Sequence, residues 1–263
     1  MRLMNEIRHT VVPAGSACMW WLGQSSYIFK SPAGVVTGVD LYLTDSCAFI
    51  DEAKIVDLRR QVPVLVEPQE LDVDLFVCTH NHQDHTDPET IRALGCKHKA
   101  LFIGPHPSCE VFLQSGVPAG RIQPAWPDCQ IRHGDITLHG AWALPTDSSD
   151  LNHMGFVIEF STGPKVYLTG DTDDSPLLAS VAKFAPDIMI TVINGGFNNL
   201  STWEAAELAA KIRPKMAIPA HYDMFADNAI DPRQFAAALR LAAPEVEYRE
   251  LKHGEAYIYP APR

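Results

Sequence analysis

Short apolar runs at residues 19–22, 27–30 and 35–41 are punctuated by Gly23, Pro32-Ala33-Gly34 and Gly38, which predicts successive antiparallel strands near the start of the chain. In residues 44–74 the pattern weakens around Pro63 and Pro68, so this stretch reads as a long connection of the kind that often carries substrate loops. Residues 75–79 form an apolar run that predicts a buried strand. Beyond it, Asp87 as cap and Pro88 at the first helical position start a helix that continues through residues 90–94. A strand over 100–104 precedes a helix capped by Ser108, running to Gln114 and stopped at Gly116. A second β block follows. Residues 131–144 hold two strand-like runs around His133-Gly134-Asp135, and residues 156–160 and 166–169 pair around Thr162-Gly163-Pro164. Helical spacing then marks residues 177–184, 202–212 and 231–242, the last opened by Asp231-Pro232, with strands over 187–193 and 216–218 between them. With no internal repeat or low-complexity linker, one domain over residues 1–263 is expected, of the α/β class.

The run Leu75-Phe76-Val77-Cys78-Thr79 ends abruptly in His80-Asn81-His82-Gln83-Asp84-His85. Neutral imidazole and carboxylate are ligands for zinc, manganese or iron. Period-two alternation sends His80 and His82 off the strand end on one face, and a tight turn brings Asp84 and His85 round, so that one pair can serve one ion and the other pair a second. The competing account is a loop of solvated polar residues. Two further strand ends carry similar chemistry. Asp171 follows residues 166–169 after Gly170, and His221 follows the strand that begins at residue 216. Turn-capping is the plainer role for such an acid, as it is for Asp40 at the end of the third run. Tyr222 and Asp223 are placed to orient His221 through its other ring nitrogen. Asn194-Gly195-Gly196 ends another strand, where glycine lets backbone approach a ligand and Asn194 can bind an oxyanion; an ordinary turn is the alternative.

His80-Asn81-His82-Gln83-Asp84-His85 resembles the HxHxDH signature of the metallo-β-lactamase-fold hydrolases. Ala17-Cys18-Met19-Trp20-Trp21-Leu22-Gly23, Phe102-Ile103-Gly104-Pro105 with Gly116-Val117-Pro118, Tyr167-Leu168-Thr169-Gly170-Asp171-Thr172 and Ile218-Pro219-Ala220-His221 are similar, in order, to the L-ascorbate-6-phosphate lactonase branch. The resemblance implies a four-layer αβ/βα sandwich, with two sheets face to face and helices outside. It also implies metal ligands at His80, His82, Asp84, His85 and His221, with Asp171 bridging two ions, and places Asp40 near the metal loop. A third ligand for the first ion falls to His153, with Asp147 and Asp150 as competitors. Asp84 or Asp171 would handle the proton. Trp20-Trp21 reads as one core ring and one exposed or interface ring.

Composition narrows the partners. A formal net charge of −11 argues against nucleic acid or an anionic membrane, and no apolar stretch suits a signal peptide or a membrane span. The six scattered cysteines fit buried reduced thiols, and the cytoplasm is the expected compartment. The expected function is a hydrolase using one or two divalent ions (manganese, zinc or iron), most simply a lactonase acting on a sugar-acid lactone, phosphorylated or not. A small-molecule phosphodiesterase and a non-catalytic metal-binding scaffold are the alternatives. The expected partners are a small-molecule substrate and further copies of the chain.

Overall fold

The computed structural model describes residues 3–50 and 55–261; part of the expected long connection, residues 51–54, lies outside the described residues. Two sheets of seven strands face each other. The first contains β1 (Ala17–Trp21), β2 (Tyr27–Lys30), β3 (Val36–Val39), β4 (Leu75–Val77), β5 (Leu101–Gly104) and β6 (Ile122–Pro124), with β14 (Tyr257–Tyr259) added beside β1. The second contains β7 (Gln130–His133), β8 (Ile136–Trp142), β9 (Met154–Phe160), β10 (Lys165–Leu168), β11 (Ile188–Val192), β12 (Met216–Ala220) and β13 (Glu247–Tyr248). In each sheet an antiparallel meander passes into a parallel set, β3 to β6 in one and β10 to β13 in the other. Helices α1 (Leu3–His9), α2 (Pro88–Ala93) and α3 (His106–Gln114) cover the first sheet, and α4 (Thr202–Ile212) and α5 (Arg233–Ala242) the second. This is the expected four-layer sandwich.

Alternation along the strands decides which layer each side chain fills. Leu75 and Val77 of β4 point into the core between the sheets with Phe156, Ile158 and Ile218, whereas Phe76 turns outward to Phe102 and Phe112 beneath the helices. The same alternation corrects the reading of the tryptophan pair. Both rings are buried, Trp21 in the inter-sheet core against Tyr222 and Trp20 in the outer layer, where its indole N–H donates to Glu6. All six cysteines are buried and free.

Several boundaries differ from expectation. Helix α3 starts at His106 after Pro105, and Ser108, offered as its cap, instead shares a hydrogen bond with the Thr86 hydroxyl. The segment Pro176–Phe184 winds as a 3-10 helix capped by Ser175. Helix α1 and the edge strands β6, β13 and β14, too short or irregular for a clear period, were not anticipated. The Asp87 cap is as expected, its carboxylate accepting from the backbone N–H groups of Glu89 and Thr90. No helix among the described residues is long and apolar enough to cross a membrane.

The parallel sets matter for the site. Their strands end at one edge of the sandwich, so the residues just past β3, β4, β10 and β12 (Asp40, His80, Asp171 and His221) meet there, joined by Gln24 from the turn between β1 and β2.

Candidate metal centre

Three sets of side chains offer ligand atoms within 4.8 Å of one another: His80 with His82 and His153, His80 with His85 and Asp171, and Asp84 with His85 and His221. His80 and His85 link the sets into one cluster. Asp171 lies between the ends of it, with Oδ1 3.3 Å from His85 Nε2 and Oδ2 3.2 Å from His221 Nε2. Asp84 Oδ2 is 3.5 Å from His85 Nε2 and 3.4 Å from His221 Nε2.

The surrounding hydrogen bonds decide which ring nitrogen is bare. Thr79 donates its hydroxyl proton to Asp40 Oδ2 at 2.7 Å, so its oxygen accepts from His80 Nδ1 at 3.0 Å and leaves Nε2 with its lone pair. His85 Nδ1 donates to Asp40 Oδ2 at 2.9 Å, and His153 Nδ1 donates to the Asp171 carbonyl at 3.1 Å, each again freeing Nε2. On His82 the logic is reversed. Ser149 donates to Asp147 at 2.6 Å and so accepts from His82 Nε2 at 3.0 Å, which frees Nδ1. A hydrogen bond on the far nitrogen is how a protein orients a ligating imidazole.

A cation fits this arrangement. Nε2 of His80 and of His153 are buried without a hydrogen-bond partner among the described residues, and Nε2 of His85 faces Asp171 Oδ1 at 3.3 Å. Buried polar atoms left unpaired cost about 1–3 kcal/mol each, a cost that a shared divalent ion removes. Electrostatics agree. Burial, with His85 and His153 alongside, holds His80 well below the ordinary imidazole range, and burial lowers His153 too, so both stay neutral. For His221, burial pulls down but Asp171 and Asp84 outweigh it and bring it to about 9; Asp171, Asp84 and Asp40 likewise raise His85 against its burial. Burial pushes Asp84 and Asp171 up, yet these histidines hold both well below the usual carboxylate range. The two carboxylates thus favour a positive charge between them, which a bound cation would supply.

Local backbone is specialised to hold the cluster. Asp40 (φ 47°), Gln24 (φ 52°) and His221 (φ 59°) occupy the left-handed region, sparsely populated by residues other than glycine and a recurrent feature of functional sites. Gly170, at φ 63°, has no such option: a Cβ there would lie 2.7 Å from the Met154 carbonyl oxygen and 2.9 Å from Thr79 Cβ. Only glycine lets β10 turn Asp171 toward the histidines.

The candidates separate as follows. His153 joins His80 and His82, with its ring centre 4.0 Å from that of His80. Asp150 is occupied elsewhere, accepting from the backbone of Asn81 and Asn152, and Asp147 stands at the rim, 3.4 Å from His82 Nε2. Asn194 belongs to none of the three donor sets; its amide donates to Asn228 and to the Gly196 carbonyl. Tyr222 and Asp223 do not orient His221 through its ring, because His221 Nδ1 has no hydrogen-bond partner among the described residues. Asp223 instead accepts from the backbone N–H of Gln24 and faces His253. Two amides at the site were missed. Gln24 lies 2.6 Å from Asp84 Oδ2 and 2.8 Å from His221 Nε2, and Asn199 donates to Asp171 Oδ2 at 2.8 Å. No sequence signal marks either beyond a place in a turn.

Asp84, Asp171 and His221 form the floor of a cavity of about 480 Å³. This floor, set at the edge of a four-layer sandwich, defines a metal-dependent hydrolase. The chain belongs to the β-lactamase superfamily: residues 43–222 match the family described as the beta-lactamase superfamily domain. It is 29% identical over 250 residues to a protein of Cupriavidus taiwanensis named a metal-dependent hydrolase, covering 86% of this chain and 81% of that one. It is 22% identical over 289 residues to a Salmonella heidelberg protein named a probable L-ascorbate-6-phosphate lactonase, covering 94% of this chain and 80% of the other. Among solved structures, a metallo hydrolase of the archaeon Ignicoccus hospitalis superposes with a TM-score of 0.71 at 20% identity over 93% of this chain and 98% of that one, a likeness of fold. The scaffold alternative falls with these matches.

Which residue completes the first donor set can be measured. His153→Ala lowers bound metal by up to about one ion per chain in elemental analysis, since only His80 and His82 of that donor set remain beside the shared Asp171. Asp147→Ala leaves the stoichiometry unchanged. The opposite pattern transfers the role to Asp147.

Proposed function

We propose that the protein is a lactonase. His80, His82 and His153 would hold one divalent ion and Asp84, His85 and His221 a second, with Asp171 shared; manganese, zinc and iron all suit this donor set. Ions so held supply a water acidic enough to attack at neutral pH and polarise the carbonyl under attack. The chain's own side chains do the rest. Asp84, turned to the cavity and tied to the Gln24 amide, accepts the proton of the attacking water and returns it to the ring oxygen as the ester C–O bond opens. Asn199 fixes Asp171 Oδ2, so the shared carboxylate keeps its orientation through the reaction.

One observation carries the choice of a carbonyl over a phosphoryl centre: among the described residues no Lys or Arg lines the cavity. Phosphate recognition generally enlists such cations. That same lining offers no counter-charge for a phosphorylated lactone, and the net charge of −11 disfavours nucleic acid. Two adjacent ions also suit diester cleavage, so the test compares both chemistries. Purified protein loaded with manganese or with zinc opens simple lactones at rates well above a chromogenic phosphodiester. Hydrolysis of the diester with no lactone opened under either metal would replace this reading with that of a phosphodiesterase.

A further inference from the structure

The cavity wall carries information about the substrate that the donor atoms do not. Its floor is polar, but its lining also takes in Ile50, Leu58, Phe197 and Phe225 with the Cys47 thiol. Two of these side chains are exposed, Ile50 at 51% and Phe197 at 54%. Large apolar side chains lining one cavity with a reactive floor mark a ligand surface rather than a folding requirement. The Phe197 ring is held there by its loop. Asn198, next in the chain, donates to the Thr146 carbonyl at 2.7 Å, and Asn199 is tied to Asp171, so the ring sits on a loop anchored to the centre itself.

The polar remainder of the lining is amide, hydroxyl and carboxylate, including Asn81, Gln83, Ser149 and Asn228. Of the described cations nearest in the chain, Arg59 pairs with Asp57, and Arg60 donates through Nε and Nη1 to the backbone carbonyls of Tyr42, Thr44 and Val62. Such a lining can hydrogen-bond an ester oxygen and bury a hydrocarbon, but among the described residues it brings no Lys or Arg to a carboxylate or phosphate.

We infer that the substrate is an uncharged lactone or ester bearing an apolar limb of several carbons, packed against Leu58, Phe197 and Phe225 with its carbonyl over Asp84 and Asp171. The inference rests on the lactonase reading for its chemistry and on the wall for its specificity, and the two are separable by experiment. A homologous series, γ-butyrolactone, γ-hexalactone and γ-octalactone, is compared with gluconolactone and 6-phosphogluconolactone, and a parallel series of p-nitrophenyl acyl esters is run from acetate to octanoate. Full burial of a methylene is worth about fourfold, so kcat/KM rises at least about tenfold from the butyro- to the octanolactone against a partly open wall. Phe197→Ala and Leu58→Ala each compress that ratio, Phe197→Ala by several-fold; Phe197 stands on an exposed loop, where truncation leaves the core intact.

Rising rates in the ester series with no lactone opened would keep the substrate class and remove the lactonase reading. Preferential turnover of the polar or phosphorylated lactone, or a flat response to chain length in both series, would overturn the substrate class and leave the lactonase reading standing. Calorimetric binding of the alkyl lactones to metal-loaded protein is the readout if nothing is hydrolysed: affinity that climbs with chain length and falls in Phe197→Ala supports the inference, and affinity independent of chain length refutes it.

Discussion

Asp171→Ala weakens metal binding at both donor sets and lowers turnover on the order of 10³-fold or more, because electrophilic stabilisation by bound ions is worth several kcal/mol in the transition state. The expectation follows from position. Asp171 approaches His85 through one oxygen and His221 through the other, and it shares a donor set with His80. Its charge also raises His85 and His221 against their burial, so its loss would remove both a donor and the counter-charge of the cluster. The sheets stay paired, since the side chain contributes to neither sheet ladder nor hydrophobic core, while the stranded Asn199 donor and the two facing histidines lower the thermal midpoint. Elemental analysis, circular dichroism and steady-state rates on one preparation decide the matter. Full occupancy with turnover within about tenfold of the parent would refute the bridging role. Asp171→Asn, which keeps the volume and one carbonyl oxygen but loses the charge, should retain part of the metal.

Asp40→Ala damages both the fold and the centre. The carboxylate is buried and accepts from the Thr79 backbone N–H at 2.8 Å, the Thr79 hydroxyl at 2.7 Å and His85 Nδ1 at 2.9 Å. Removing it strands three buried donors. A buried charged partner lost in this way costs about 3–5 kcal/mol, which lowers the thermal midpoint by roughly 10 °C in a chain of this size. It also releases the far nitrogens of His80 and His85, and loss of such an orienting partner typically weakens metal binding about 10- to 100-fold. Asp40→Asn keeps one acceptor and a side chain that tolerates the left-handed backbone at φ 47°, so it falls between the two. Calorimetry of the metal-free protein and metal titration of each variant separate the stability loss from the affinity loss. A metal affinity unchanged in Asp40→Ala would show that the carboxylate stabilises the fold without orienting the ligands.

Much of this was legible in the chain because it depends on neighbours in sequence. The alternation of Leu75, Phe76 and Val77, the Asp87-Pro88 helix start and the Gly170 turn are local devices, written in a few consecutive residues. The four histidine and aspartate positions between His80 and His85 belong to the same category: a strand that stops presents whatever follows it to the edge of the sheet. Local pattern also placed most strands to within two residues, and it failed where elements were short or 3-10 in character, as at Pro176–Phe184.

What depended on contacts between distant segments was not legible. His153, Asp147 and Asp150 are alike in sequence terms, and only the packing of β9 against the end of β4, with the Met154 N–H donating to the Thr79 carbonyl, brings His153 beside His80 while Asp150 turns to Asn81. Gln24 and Asn199 reach Asp84 and Asp171 across separations of 60 and 28 residues. Asp40 is an ordinary strand-end acid until β3 pairs with β4 and sets its carboxylate under Thr79 and His85. The cavity wall likewise draws Leu58, Phe197 and Phe225 from three loops with no common pattern. Sequence periodicity reports the interactions a segment makes within itself and the face it must bury. Ligand orientation, charge balance and cavity shape arise from side chains that meet only after both sheets have closed on their shared core.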